Sequence, residues 1–346
     1  MIIRLRNRRV KNIKTGVMRC DMAKLEIELP EGFLDEEVRQ GYTVTKKAKR
    51  AWAVQLDLLH KLDEVCKKHG LRYFADSGTL LGAVREHGFI PWDDDIDITM
   101  LREDYEKLKE VADQEFTFPY FYQDMYRDEG LIRPHAQLRN CETTGYLPQE
   151  EDRPYNKGIF LDIFPLDVLP DNDLEFKIHI ARVKTLWRTI EYGGYTKDAP
   201  HKLKGKIFRL LTGGLYKFTD VKKMFARYEK LCSKYNGTDN HRMSYVVHSR
   251  GKEKNMFQKE WWDETVMLPF EFVMVPAPAG YDARLRQEFK DYMTPRNVEA
   301  GHPGAILDPD LPYEEFIRRR KEKRAAARTK KKAERAKKAD RKENSL

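Results

Sequence analysis

Between Thr45 and His69 the apolar residues Trp52, Leu56, Leu59, Leu62 and Cys66 recur at three- and four-residue steps, with Lys, Asp and Glu between them. That spacing predicts a helix with one apolar stripe, and Gly70 stands where a C-cap would close it. The period then shortens. "LRYFAD" (71–76) reads as a short strand, "SGT" as a turn and "LLGAVRE" as the opening of a helix. Ile96–Met100 reads as the next strand. "REDYEKLKEVAD" (102–113) is a helix whose early acids suit the helix dipole. "RPHAQLRNCETTGY" gives a weak strand or hairpin, and "GIFLDIFPLDVLP" (158–170) a strong strand ended by prolines.

After Asp171 the pattern turns helical, over 173–192, 203–218 and 220–236, with Gly/Pro-containing breaks near 193–201 and 212–214. Glu271–Val275 is strand-like and precedes a loop feeding a helix, "PAPAGYDARLRQEFKDYM". From about Glu314 the chain is a Lys/Arg/Ala/Glu helix former with almost no apolar stripe, so it is a solvated helix or disordered. Residues 1–45 have no clear period, and no long repeat is visible.

Composition changes this picture in one respect. The chain has 346 residues, 40% of them hydrophobic, with a net charge of +9. From Arg318 onward there are fifteen Lys/Arg against four Asp/Glu, so the rest of the chain is slightly acidic, at about −2. The basic character belongs to a tail and not to the body. Cys20, Cys66, Cys141 and Cys232 are far apart, which argues against a zinc site or disulfide framework and for reduced thiols in a cytosol. The start lacks an apolar signal-peptide region, and no apolar run approaches the roughly 20 residues of a membrane span. A soluble or peripheral protein is expected.

The candidate chemistry lies in "GFIPWDDDIDITM" (88–100). In a strand, Asp95 and Asp97 share one face while Ile96 and Ile98 point to the other, toward a core. Two carboxylates roughly 7 Å apart on one face repel unless a cation lies between them, and magnesium prefers such hard oxygen ligands. Asp93 and Asp94 are expected to shape the turn beside Pro91 and Trp92. Ser77, Gly78 and Thr79 sit where a strand hands over to a helix, a place for backbone N–H groups to meet phosphate. Asp162 shares a strand face with Phe160 and Phe164, and a lone buried carboxylate is costly unless paired or metal-bound. Asp167, between prolines, reads as a turn residue. Each piece alone has a plainer reading: an acidic turn, an ordinary N-cap, a structural ion pair.

Together the pieces follow the order of the nucleotidyltransferase superfamily: strand, Ser-Gly and helix, then D-x-D, then a later single Asp. "ADSGTLLGAVREHGFIPWDDDIDITMLREDYEKL" resembles the signature of the LicD family, which includes the fukutin and fukutin-related proteins. The resemblance runs from about Leu59 to Lys109, resumes at "GIFLDIFPLD" and is echoed at "YDARLRQEFKDYMTPRNVEAGHP". It implies an α+β fold: a nucleotidyltransferase-like mixed β-sheet core flanked by helices, a mainly helical second part and a basic C-terminal helix or tail. The expected division is an N-terminal extension (1–45), a catalytic core (46–171), a helical acceptor or lid region that returns to the core (172–313) and the basic tail (314–346).

The resemblance further implies a phosphotransferase that moves a phospho-alcohol, phosphocholine first among them, from a CDP-alcohol onto a glycan hydroxyl with release of CMP. Asp95, Asp97 and Asp162 would hold magnesium, or manganese in its place, with Asp162 also a base. Ser77, Gly78 and Thr79 would meet the donor. Arg85 and Arg139 are candidate phosphate donors, each equally readable as a surface ion pair. His302, in "EAGHPG", is a third candidate, and His87 and His135 weaker ones. Glu86 departs from the family pattern, where a basic or polar residue is expected. The acceptor would be a teichoic acid, a capsule or a lipid-linked saccharide, modified at the cytosolic face of a membrane. Residues 201–218 and the basic tail could meet anionic lipid there. Nucleic acid is not expected as a partner. The alternatives are a nucleotidyltransferase that releases pyrophosphate from an NTP, or a non-catalytic protein that binds RNA or membrane through its tail.

Overall fold

A computed structural model of the chain describes residues 23–194, 220–249, 255–295 and 304–343. The helix expected over 203–218 and His302 lie outside them. In chain order the strands are β1 (Glu37–Arg39), β2 (Tyr42–Val44), β3 (Phe74–Ala75), β4 (Asp97–Leu101), β5 (Tyr120–Gln123), β6 (Ala136–Asn140), β7 (Thr144–Tyr146), β8 (Ile159–Leu169), β9 (Arg242–Ser244), β10 (Phe257–Gln258), β11 (Thr265–Phe270), β12 (Val273–Pro278) and β13 (Ile306–Asp308). The helices are α1 (Lys46–His69), α2 (Ser77–Arg85), α3 (Arg102–Glu115), α4 (Asp173–Gly194), α5 (Val221–Cys232), α6 (Val246–Ser249), α7 (Tyr281–Phe289) and α8 (Tyr313–Glu343).

The central sheet is mixed, as expected for the α+β class. β4 and β8 run parallel at its middle, β3 pairs antiparallel with β4, and β6 and β9 pair antiparallel with successive stretches of β8. α1 covers the sheet. Thr45 caps its start and Gly70, at φ +64°, closes its end. Trp52, Leu56, Leu59, Leu62 and Cys66 are all buried in the main core, together with Ile96, Ile98 and Ile163. A second apolar cluster forms where α4 meets α5, around Trp187, Phe225 and Tyr228.

Several expectations change. The weak hairpin at 133–146 is two strands in different sheets: β6 joins β5 and β8, while β7 pairs with β13. Gly145 and Gly158 allow this crowding, because a Cβ at Gly158 would lie 2.0 Å from the Asn140 carbonyl oxygen. β8 continues through Pro165 and stops only at Pro170. Asp167 is therefore no turn residue: it is fully buried in β8 and paired with the Arg102 guanidinium at 2.6 and 2.9 Å. Beside its helices the second part also carries the short strands β9–β13. The described part of the N-terminal extension is docked on the body. Buried Asp57 accepts from the Glu26 and Ile27 N–H groups, and Arg39 pairs with Glu271. The basic tail is a helix, α8, exposed on all sides from Lys321 to Lys331.

Candidate active site

The parallel register of β4 and β8 sets Asp97 beside Asp162. Paired positions on neighbouring strands point to one face, so both carboxylates emerge together. With Asp95 they form a group in which each residue offers an oxygen within 4.8 Å of the others. Ile96 and Ile98 are fully buried behind them, as the strand period requires. The loop carrying the acids is held from below by α1: Trp52 Nε1 donates to the Asp93 carbonyl (3.1 Å) and Gln55 Nε2 to that of Asp94 (2.7 Å). A cavity of about 430 Å3 opens over the group, with Ser77 and Gly78 on one side and Tyr146, Phe160 and Phe164 among its apolar walls.

Asp162 is held on its other flank. His135 Nε2 lies 2.9 Å from Asp162 Oδ1, and Gln137 Nε2 donates to the same oxygen at 2.6 Å. Burial alone would raise this carboxyl, but His135, Arg133 and Gln137 outweigh it and hold it at about 2. Burial pushes the His135 imidazole down, toward the neutral form. A neutral ring still donates its Nε2 hydrogen, so we take Asp162 as ionised chiefly through hydrogen bonds rather than through a charged histidine. Asp97 moves the other way. Burial first, then Asp95 and Asp162, push it well above the ordinary carboxylate range. The carboxylates of the group thus oppose one another's ionisation, and a cation among them would relieve that repulsion.

The Ser77–Gly78 side is built on a buried ion cluster. Arg284, from α7, is fully buried and reaches Asp76 at 2.8 Å and Glu288 at 2.7 Å. Asp76 caps α2 by accepting the Ser77 N–H (2.8 Å), and Ser77 is held at φ +48°, a strained value for a residue with a side chain. A Cβ at Gly78 would come within 2.5 Å of Asp93 Oδ2, so the glycine lets the acidic loop close onto α2.

Of the residues singled out from sequence, Asp95, Asp97, Asp162, Ser77 and Gly78 meet at this cavity. Thr79 does not line it. Its hydroxyl accepts the Asp97 N–H at 2.8 Å, which makes it a brace for β4. Arg85 is bound to Glu86 (2.6 Å) and to the Tyr292 carbonyl (2.9 Å). The departure at Glu86 thus serves a local ion pair away from the cavity. Arg139, in β6, is fully buried and donates to Gln123, to Gln137 and to the Gly145 and Gly158 carbonyls. Burial, then Arg133, lowers its guanidinium to about 10. Neither arginine lines the cavity. Asp93 and Asp94 do, and with Asp95 they form a second group of oxygens within 4.8 Å, so they do more than shape a turn.

Sequence reading undervalued His135 and missed Gln137, Arg133 and the Arg284–Glu288 pair. "PHAQ" does carry a signal, since His135 and Gln137 are two apart and share a face. The pairing of Gln137 with Asp162 across β6 and β8 needed the register.

These acids suit a divalent cation. Three carboxylate oxygens converge within 4.8 Å of one another, and burial with the neighbouring acids pushes Asp97 upward, an arrangement that a hard divalent cation would relieve. Comparison with known proteins agrees with the site. Residues 70–177 match the family described as LicD/FKTN/FKRP, nucleotidyltransferase domain. The chain is 27% identical over 255 residues to the lipopolysaccharide cholinephosphotransferase LicD of Haemophilus influenzae, an overlap of 69% of this chain and 89% of that protein. It is also 36% identical over 145 residues to an uncharacterised protein of Rickettsia typhi, 40% of this chain and 41% of that one. The stretch from β3 to β8, with the acids it aligns, is thus the part of this chain that resembles the nucleotidyltransferase domain of the LicD family.

Proposed function

We propose that this protein is a metal-dependent phosphotransferase that moves a phospho-alcohol, phosphocholine in the first instance, from a CDP-alcohol to a hydroxyl of a cell-surface glycan. The observation that carries the reading is the in-register pair Asp97 and Asp162, joined by Asp95, at the floor of a cavity. The similarity to a lipopolysaccharide cholinephosphotransferase over most of both chains supports the choice of donor and acceptor class.

Asp95, Asp97 and Asp162 would hold magnesium, or manganese in its place, which when bound neutralises charge on the diphosphate. In the transfer, the acceptor oxygen forms a bond to the phosphorus of the phospho-alcohol, the bond from that phosphorus to the bridging oxygen breaks, and CMP leaves with the bridging oxygen. The acceptor's hydroxyl proton passes to water or to the departing CMP. Asp162 is better suited to ligation than to taking that proton, because His135 and Gln137 keep it a weak base. A loose phosphoryl transition state asks for positioning and charge neutralisation more than for a strong base. Ser77 and Gly78 line the wall beside the acids, where the donor would rest. The acceptor is proposed to be lipid-linked, with α8 as the part that meets an anionic membrane surface.

The test is product analysis. Purified protein with magnesium, CDP-choline and lipopolysaccharide or teichoic acid should release CMP and add phosphocholine to the glycan. Pyrophosphate release from CTP or ATP, with no CMP from any CDP-alcohol, would replace this reading with nucleotidyl transfer.

A further inference from the structure

The cavity presents an imbalance. Seven carboxylates line it: Asp93, Asp94, Asp95, Asp97, Glu150, Asp162 and Glu288. Among the described residues, the only Lys or Arg on the wall is Arg133. Cations bound to the aspartates can neutralise the acidic floor, but a diphosphate spreads its charge over several oxygens. A fixed guanidinium beside that floor is the natural partner for the oxygens facing away from it.

The bonding of Arg133 fits such a task. Its Nη1 donates to Gln123 Oε1 at 3.0 Å and to Gln137 Oε1, and its Nη2 reaches Glu150 Oε1 at 3.3 Å. These bonds use three of the five guanidinium hydrogens. Among the described residues, Nε–H and one Nη2 hydrogen carry no further protein bond. The side chain is thus fixed on one flank with donors left on another, unlike Arg85, bound to Glu86 and the Tyr292 carbonyl away from the cavity, and Arg139, whose guanidinium donates to Gln123, Gln137 and the Gly145 and Gly158 carbonyls. Pro134 follows and stiffens the backbone. The amide of Gln137 joins the two halves of the site, accepting from Arg133 through its oxygen and donating to Asp162 Oδ1 through its nitrogen. An anion bound at Arg133 would therefore sit one side chain away from Asp162.

We propose that Arg133 is the anion-binding residue of this cavity and takes phosphate oxygens of a diphosphate. The inference rests on the proposed function for the identity of the donor, but not for the chemistry of the contact. Calorimetry with inorganic pyrophosphate and Mn2+ tests it without assuming a donor. Arg133→Gln should weaken pyrophosphate binding about tenfold to a hundredfold. Its affinity for Mn2+ alone, read from the paramagnetic resonance of the free ion, should stay within about twofold of wild type. Arg133→Lys, which keeps charge but loses the fork, should recover part of the binding. Equal pyrophosphate affinity in wild type and Arg133→Gln overturns the proposal. So does a parallel loss of Mn2+ affinity, which would make Arg133 a support for Asp162 only, and so does a wild type that binds no pyrophosphate. Titration with CDP-choline separates the two readings: Arg133-dependent pyrophosphate binding without any affinity for a CDP-alcohol would uphold Arg133 and remove the proposed donor.

Discussion

Asp97 and Asp162 are paired by register yet are driven in opposite directions by what surrounds them. Burial and its acidic neighbours raise Asp97, while hydrogen bonds keep Asp162 low. Asp97→Asn removes both a proposed metal ligand and a source of repulsion. Activity should fall on the order of a thousandfold or more, and in EDTA the variant should melt a few degrees above wild type. A lower melting point in EDTA would show that the acids do not strain the metal-free fold. His135→Asn and Gln137→Leu leave all three carboxylates in place but free Asp162 to turn. Each should cost about tenfold to a hundredfold in Mn2+ affinity, measured by titration with activity followed in parallel. His179, outside the cavity group, governs a pH effect. Burial first, then Lys234, lowers it to about 4. Between about pH 6.5 and pH 4 the unfolded chain therefore binds a proton that the folded one refuses. Stability should rise with pH across that window and be lost as pH falls through it, by roughly 2 kcal/mol for this group. Urea titrations at pH 7 and pH 4.5 should show a smaller difference for His179→Gln than for wild type.

At the scale of elements, the site depends on α7 as much as on the sheet. Arg284 locks α7 to the start of α2 through Asp76 and Glu288, behind the Ser77–Gly78 turn. Arg284→Met would leave two acids without their buried counter-charge and should cost about 3–5 kcal/mol by chemical denaturation. Adding Asp76→Asn to that variant should return part of the loss, since the two residues share one interaction. The sequence showed α1, α2, β4, α3 and β8 because each is written in local terms: a helical stripe with its caps, an Asp/Ile alternation, an apolar run. It did not show the Arg284 clamp, because Asp76 and Arg284 are joined only by folding. Nor did it show that Thr79 braces Asp97, that Arg139 is buried on the Gly145 and Gly158 carbonyls, or that β7 leaves its neighbour β6 to pair with β13. The acids were legible because their spacing is local. The donors that tune them were not, because they reach across strands whose register no periodicity fixes.

On the scale of the whole molecule, a slightly acidic body carries a basic helix whose contacts with it, among the described residues, lie near the helix start. α8 docks through Phe316 against Tyr146, Arg320 and Arg324 on Glu151, and Lys321 on Asp152. Among the described residues, no helix is long and apolar enough to cross a membrane. Residues 328–346 carry nine Lys/Arg and three Asp/Glu, and a chain stopped at Ala327 falls in net charge from +9 to +3. All the docking contacts lie before that point. The truncated protein should unfold within about 0.5 kcal/mol of the full chain and keep its affinity for magnesium and donor. What it should lose is binding to phosphatidylglycerol vesicles, where each basic residue near the surface adds about 1 kcal/mol. Phosphatidylcholine vesicles should not distinguish the two proteins, and the difference should shrink as salt is raised, because the attraction is screened over roughly 10 Å at 0.1 M. Cosedimentation of both chains with both vesicle types measures this directly. Equal binding of the two chains to anionic vesicles would remove α8 from any membrane role and leave its charge to be explained by another polyanion.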